Sequence, residues 1–265
     1  MNILEVRDLK IYFYAEQGIV KAVDGISFDI KKGSTLGLAG ESGSGKTVTA
    51  LSILNLVDPP GKIINGQIKY NGASLLDLDA EKMRMLRGKE ISIVFQEPLT
   101  ALNPVLSIEE QMYEMLLAHR RLSKNGCHKI VIEYLKKVNI PSPQKILKDY
   151  PHQLSGGTRQ RVMIAMSLLL NPKLIILDEP TTALDVTIQA AILDLLMQLK
   201  EEMDLSILFI THDLGIIAEI ADDVVILEKG RVVEKAGTLE IFENPKNDYT
   251  KRLLNAARFL EVSPL

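Results

Sequence analysis

Residues Gly40-Glu41-Ser42-Gly43-Ser44-Gly45-Lys46-Thr47 bring together three kinds of group that suit a polyphosphate. Gly40, Gly43 and Gly45 let backbone N–H groups turn inward as an anion nest with no Cβ in the way. Ser42 and Ser44 complete the cradle. Lys46 supplies a mobile point charge for β- and γ-phosphates, and the Thr47 hydroxyl suits a place on Mg²⁺. The spacing G-x-x-x-x-G-K-[ST] is met at every fixed position. The bland alternative is a Gly/Ser-rich turn that binds nothing, and a chain of this size matches by chance roughly once in a hundred. The stretch implies binding of a nucleoside triphosphate.

A second constellation follows far downstream. Leu174-Ile175-Ile176-Leu177 is an apolar run delivering Asp178 and Glu179 to its C-terminal end, the edge where ligands bind in open α/β sheets. Asp178 suits Mg²⁺ through a coordinated water. Glu179 suits orienting or deprotonating the water that attacks a γ-phosphate. An isolated acidic pair is usually a solvated strand end; the phosphate loop upstream favours the functional reading. In Leu154-Ser155-Gly156-Gly157-Thr158-Arg159-Gln160, Ser155 is a candidate N-cap and two glycines leave backbone N–H groups open to an anion. Alone, that string reads as an ordinary helix start.

These groups need elements to hold them. Thr35–Ala39 reads as a buried strand and Val48–Val57 as a helix, so the loop falls at a helix N-terminus, where the macrodipole favours anions. Residues 2–13 and 19–30 read as strands joined near Gly18. Asp58-Pro59-Pro60-Gly61 is a break, residues 66–72 a short strand ending in an Asn-Gly turn, and a charged helix surrounds Arg84. Ile91–Phe95 returns to a buried strand ending at Gln96. From about Glu97 to Pro151 the texture is helical, near 108–122 and 130–138. Alternation then resumes: helix 157–170, strand 173–177, helix 187–203, strand 205–210, helix 214–220, and a strand pair 224–227 and 232–234 turning at Lys229-Gly230. Strands alternating with helices after a phosphate loop predict an α/β protein with a mostly parallel core sheet.

Composition sets the outer bounds. Across 265 residues, hydrophobic residues are 46% and charged residues 25%, ordinary for a globular protein, and the net charge of −3 gives no sign of a basic surface built for nucleic acid, leaving room only for a local basic patch. The single cysteine, Cys127, excludes an internal disulfide framework and lacks zinc spacing beside His128. No apolar run approaches the roughly 18 residues of a membrane span, and Glu5, Arg7, Asp8 and Lys10 interrupt any secretory signal. A cytoplasmic, non-spanning protein able to dock on a membrane protein is expected.

The phosphate loop, the LSGGTRQR string and the carboxylate strand, in this order, resemble the ATP-binding cassette family over nearly the whole chain. The resemblance implies a phosphate-loop NTPase fold as one cassette domain, residues 1–265. It has an N-terminal antiparallel β subdomain, a helical subdomain at about 97–158 and a short C-terminal extension at about 231–265. Ser155, Gly156 and Gly157 are then the signature motif that meets ATP bound by the opposite subunit. Gln96 is the glutamine-loop residue that contacts Mg²⁺. Ala183-Leu184-Asp185 resembles the loop communicating between two sites of a dimer, and His212 the histidine switch at the γ-phosphate. For the adenine ring the choice is Phe13, with Tyr12 and Tyr14 as neighbours. The residues implied in catalysis are Glu179, His212, Lys46 and Gln96, and those at the metal Thr47, Gln96 and Asp178.

Two segments are similar to the peptide/nickel importer ATPases: Gln96-Glu97-Pro98-Leu99-Thr100-Ala101-Leu102-Asn103-Pro104 and Asn244-Pro245…Tyr249-Thr250…Leu253-Leu254. That likeness implies an ATP-hydrolysing subunit for import of peptides or nickel, on the cytoplasmic face of the membrane. Its implied partners are a second cassette subunit, identical or related, two membrane permease subunits and, indirectly, an extracellular solute-binding protein. Residues 97–104 would receive a membrane-subunit helix, with Leu99 and Leu102 at the contact. ATP and Mg²⁺ are the implied ligands. Cysteines that some longer relatives use after this point are missing here, so no iron–sulfur cluster is expected. His119, His128 and His152 have no metal-ligand spacing. The rivals are a soluble cassette ATPase on DNA or ribosomes, a small-molecule kinase and an exporter subunit. They predict coiled coils or basic arms, leave the signature string idle, or miss the 100–104 likeness, respectively.

Overall fold

A computed structural model describes residues 1–16, 18–96, 101–182 and 184–261, with side chains described as far as Ala256. Glu97–Thr100, and with them Leu99, and Ala183 therefore lie outside the described residues. In chain order the elements are β1 (Asn2–Ala15), β2 (Gly18–Lys31), β3 (Thr35–Ala39), α1 (Lys46–Ile53), β4 (Gly61–Tyr70), β5 (Ala73–Ser74), α2 (Ala80–Leu86) and β6 (Ile91–Val94). There follow α3 (Ile108–His119), α4 (Lys124–Lys137), α5 (Pro143–Ile146), a 3₁₀ turn (Pro151–Gln153) and α6 (Gly156–Leu168). The chain continues with β7 (Leu174–Asp178), α7 (Val186–Met203), β8 (Ser206–Thr211), α8 (Leu214–Ile220), β9 (Asp223–Glu228), β10 (Arg231–Gly237), α9 (Thr238–Glu243) and α10 (Asp248–Glu261). They form two compact units, residues 1–83 with 206–265, and residues 84–205.

In the first unit, β2-β1-β4-β5 make an antiparallel sheet. Beside it runs the order β10-β9-β3-β8, in which β3 pairs in parallel with both β8 and β9 while β10 closes antiparallel on β9. Every residue of β3 and of β8 is buried, as expected of central parallel strands covered on both faces. Gly37 in β3 is required by packing, since a Cβ there would lie 2.7 Å from Ile217 of α8. The β9–β10 connection turns through Lys229 and Gly230, both with positive φ of 48° and 77°. That is the type I′ geometry that suits a two-residue hairpin.

In the second unit β6 and β7 pair in parallel, Val94 opposite Leu177. The helices around them are capped by their own sequence. Ser107 and Glu110 form a reciprocal capping box at α3, and Ser123, Ser155 and Asp185 each accept from a backbone N–H at the start of α4, α6 and α7. Helix α7 buries Ile192, Leu195, Leu196 and Leu199, the i, i+3, i+4, i+7 set of one helical face.

Several boundaries differ from the sequence reading. The strand read at 66–72 starts at Gly61, because Phe13, Tyr12 and Ile11 of β1 pair with Gly61, Lys62 and Ile63 and extend it backwards. α1 spans 46–53 rather than 48–57; it begins at the lysine itself. α4 starts at Lys124, earlier than expected, because Ser123 caps it. α5 and the two C-terminal helices, α9 and α10, had no counterpart in the reading. Leu102, placed by that reading on a docking surface, is only 2% exposed and belongs to the core of the second unit.

Candidate functional site

In the first unit β3 ends at Ala39, opposite Thr211 of β8, so the phosphate loop and His212 leave the same strand edge. The loop itself is tightly built. Gly40 has φ of 150° and a Cβ there would sit 2.2 Å from the Leu227 carbonyl oxygen; Gly45 has φ of 101° and its Cβ would sit 2.4 Å from the Ala22 carbonyl oxygen. Both neighbours are backbone of β9 and β2, so no side-chain adjustment relieves the overlap. From the β9–β10 turn, the Gly230 N–H donates to the Ser44 carbonyl at 3.0 Å.

Lys46 is 5% exposed and folds its ammonium back into the loop, donating to the carbonyls of Gly40 at 2.7 Å and Glu41 at 2.9 Å. The Ser44 Oγ is buried and, among the described residues, hydrogen-bonds to nothing. α1 has Gly45 as its N-cap and so no side-chain cap. A buried hydroxyl without a partner, a buried ammonium on carbonyls and an uncapped helix start make a cradle whose chemistry fits phosphate oxygens. Ser42, Gly43 and Thr47 are exposed, as is His212, which stands just ahead of the Asp213 cap of α8.

The three aromatics at the end of β1 separate. Phe13 is half-buried, with Cε1 and Cζ packed at the Gly61 backbone. The Tyr12 hydroxyl donates to Asp24 Oδ1 at 2.7 Å, and that bond raises the phenol's pKa. Tyr14 is exposed, with Lys62 Nζ 5.8 Å from its ring centre.

In the second unit the parallel register of β6 and β7 brings the two strand ends level. Gln96 Nε2 donates to Glu179 Oε2 at 3.1 Å, and Thr182 Oγ1 donates to the same oxygen at 3.0 Å. Glu179 has φ of 47°, a left-handed conformation that a non-glycine residue adopts only where its surroundings hold it. Asp178, one residue earlier, is buried at the end of β7. A buried aspartate followed by a carboxylate fixed by an amide and a hydroxyl suits divalent-cation and water handling. Thr182 was missed by sequence reading; its signal was the i+3 spacing from Glu179.

The Ser155 Oγ accepts from the Thr158 N–H at 3.3 Å and so starts α6. Gly157 is small for a local reason: its Cβ would lie 2.8 Å from Ile188 Cγ2, three residues into α7. Gly156 has no such reason among the described residues, where its Cβ would meet Leu184 Cδ2 at 3.6 Å, an ordinary contact. Asp185 is committed to capping α7, accepting from the Ile188 N–H at 2.9 Å. Residues 155–157 and the 184–185 segment are therefore neighbours. Gln96, Glu179 and Asp178 cluster in this unit, while the phosphate loop, Phe13 and His212 belong to the other.

Elsewhere in the second unit, Arg87, Ala101, Asn103, Leu106, Met115 and His119 line part of an open groove of about 520 Å³. No helix among the described residues is long and apolar enough to cross a membrane.

A family model for ABC transporters matches residues 23–182. The chain is 48% identical over 263 residues to the oligopeptide transport ATP-binding protein OppD of Bacillus subtilis (strain 168), covering 99% of this chain and 74% of that protein. It is 45% identical over 263 residues to the dipeptide transport ATP-binding protein DppD of the same organism, covering 99% of this chain and 78% of that protein. Among solved structures, one described as the dimeric structure of MJ0796, a bacterial ABC transporter cassette, superposes with a TM-score of 0.79 at 28% identity. The match covers 89% of this chain and 98% of that one. A structure of the same cassette in a post-hydrolysis state bound to ADP and Pi matches equally well.

Proposed function

This chain belongs to the ABC transporter family, and on that premise we propose that it is the ATP-hydrolysing subunit of a peptide importer. One observation carries the nucleotide part: the buried Ser44 hydroxyl, unpartnered among the described residues, in the same loop as the buried Lys46 ammonium, where backbone contacts demand glycine at 40 and 45. Relatives named for oligopeptide and dipeptide transport support peptides over nickel.

Lys46 neutralises β- and γ-phosphate charge, and His212 adds a polar group at the γ-phosphate. Thr47, Asp178 and Gln96 are the residues that would hold Mg²⁺, and the ion would supply charge neutralisation on the phosphates. Glu179 holds the attacking water and takes its proton, with Gln96 and Thr182 fixing the carboxylate. Phe13 is assigned the adenine, since its ring is the one anchored against backbone. Ser155, Gly156 and Gly157, with Asp185 nearby, serve ATP bound by a second cassette subunit. Among the described residues no packing contact requires glycine at 156, which supports that reading.

Two membrane permease subunits and an extracellular solute-binding protein complete the importer, with this chain on the cytoplasmic face. The groove at Ala101, Asn103 and Leu106 is the proposed seat of a permease segment. The test is purification of the tagged chain from membranes, followed by ATP-dependent peptide uptake in vesicles holding whatever accompanies it. Uptake of di- or oligopeptides that stops with Glu179→Gln supports the proposal. An ATPase that brings no membrane subunit, or moves no peptide, refutes it.

A further inference from the structure

Tyr249 lies in the first turn of α10, yet its hydroxyl reaches the phosphate loop and accepts from the Glu41 N–H at 3.3 Å. The approach is anchored. Glu234 of β10 accepts from the N–H groups of Lys246 at 2.7 Å and Asn247 at 3.1 Å. Asn247 in turn donates to the Val233 carbonyl, and its Oδ1 accepts from the Tyr249 N–H at 2.8 Å. Thr250 and Leu254 of the same helix are buried as well. Tyr249 itself is 5% exposed, and burial raises its pKa, so the hydroxyl stays neutral.

The bonded N–H is a consequential one. It belongs to the Gly40–Glu41 peptide, whose carbonyl is the acceptor for Lys46 Nζ at 2.7 Å. The peptide group is planar, so fixing the N–H direction fixes the carbonyl direction as well. The next carbonyl, that of Glu41, accepts from Lys46 Nζ and from the Ser44 N–H. One phenol thus sets the orientation of the peptide from which the phosphate-binding lysine is aimed.

We infer that Tyr249 is a positioning residue for ATP binding, and that the Asn244-Pro245…Tyr249-Thr250 segment is a brace that preorganises the phosphate loop. The inference rests on the ATP-binding reading above. Removing the hydroxyl takes away the anchor on the N–H side of the Gly40–Glu41 peptide, and restoring its orientation on binding costs affinity. The loss of one neutral hydrogen bond corresponds to a weakening of about threefold to tenfold.

The experiment uses the full chain with Tyr249→Phe, which keeps the ring and its packing. Equilibrium titration with a fluorescent ATP analogue and Mg²⁺ is paired with amide hydrogen exchange. The expected result is an affinity about threefold to tenfold lower, faster exchange at Glu41 and unchanged exchange through the rest of α10. In the assembled transporter KM for ATP should rise by the same factor with kcat unchanged. Unchanged affinity and unchanged exchange at Glu41 would overturn the inference. So would an affinity loss accompanied by faster exchange throughout α10, which marks a merely structural role. If the unsubstituted chain fails to bind the analogue, the proposed function falls, and the inference with it.

Discussion

Replacing Gly156 by alanine separates local packing from contact with a nucleotide held elsewhere. Within this chain the added Cβ has room, its nearest described neighbour being Leu184 Cδ2 at 3.6 Å. Glycine within a helix costs about 0.5–1 kcal/mol relative to alanine, and a first helical residue sits at the low end of that range. For a chain of this size 1 kcal/mol shifts the midpoint by about 2–4 °C, so Gly156→Ala should raise the Tm of the isolated subunit by about 1–2 °C. Its ATP affinity should not change. On the function proposed above, in which residues 155–157 serve ATP held by a second subunit, the same methyl group would stand where a phosphate oxygen must come within about 2.9 Å of a backbone N–H. Losing one such preorganised donor typically costs about a hundredfold in turnover. Gly157→Ala is the contrast: its Cβ meets Ile188 Cγ2 at 2.8 Å, and forcing that side chain aside costs about 1 kcal/mol or more, lowering Tm. Differential scanning calorimetry of the isolated variants and steady-state ATPase assays of the purified complex make the comparison. A Tm lowered by several degrees in Gly156→Ala would show a packing role, and full turnover in the complex would show that no phosphate comes near; either refutes the reasoning.

Lys46→Ala removes the ammonium that bonds to Gly40 and Glu41 and should abolish ATP binding; near-normal affinity in equilibrium titration counts against the assignment. Glu179→Gln keeps an oxygen for Gln96 and Thr182 but cannot take a proton, so binding should persist while turnover falls by about a hundredfold or more. Unchanged turnover would move that role to another residue. Leu102→Asp should destabilise the second unit by several kcal/mol rather than selectively uncouple transport, because it buries a carboxylate at a 2% exposed core position. A cooperative urea transition at the normal midpoint would contradict this. Ser107→Ala breaks the capping box at α3 and should cost about 1 kcal/mol, read as a shift in the same urea midpoint.

The parts legible in the sequence were those whose cause is local. The strand at 35–39, the glycines and lysine of the loop, Asp178-Glu179 at a strand end and helix 214–220 all announce themselves by residue type and spacing. The I′ turn at Lys229-Gly230 does the same, because a left-handed pair needs residues that tolerate it. Function followed at that level, since a phosphate cradle is made mostly of backbone whose shape glycine spacing dictates.

Tertiary structure decided what depends on partners distant in the chain. The early start of β4 comes from β1 reaching Gly61, 48 positions beyond Phe13. Leu102 looks like any leucine near a loop until the second unit closes over it. Gly156 and Gly157 are indistinguishable as letters, and only Ile188 beside one of them assigns a packing role to that one. The hydroxyl of Tyr249 meets the Glu41 N–H across 208 positions. Residue type alone marks a tyrosine as able to accept a hydrogen bond, but which donor it meets is set by how Glu234 and Asn247 seat the helix that carries it.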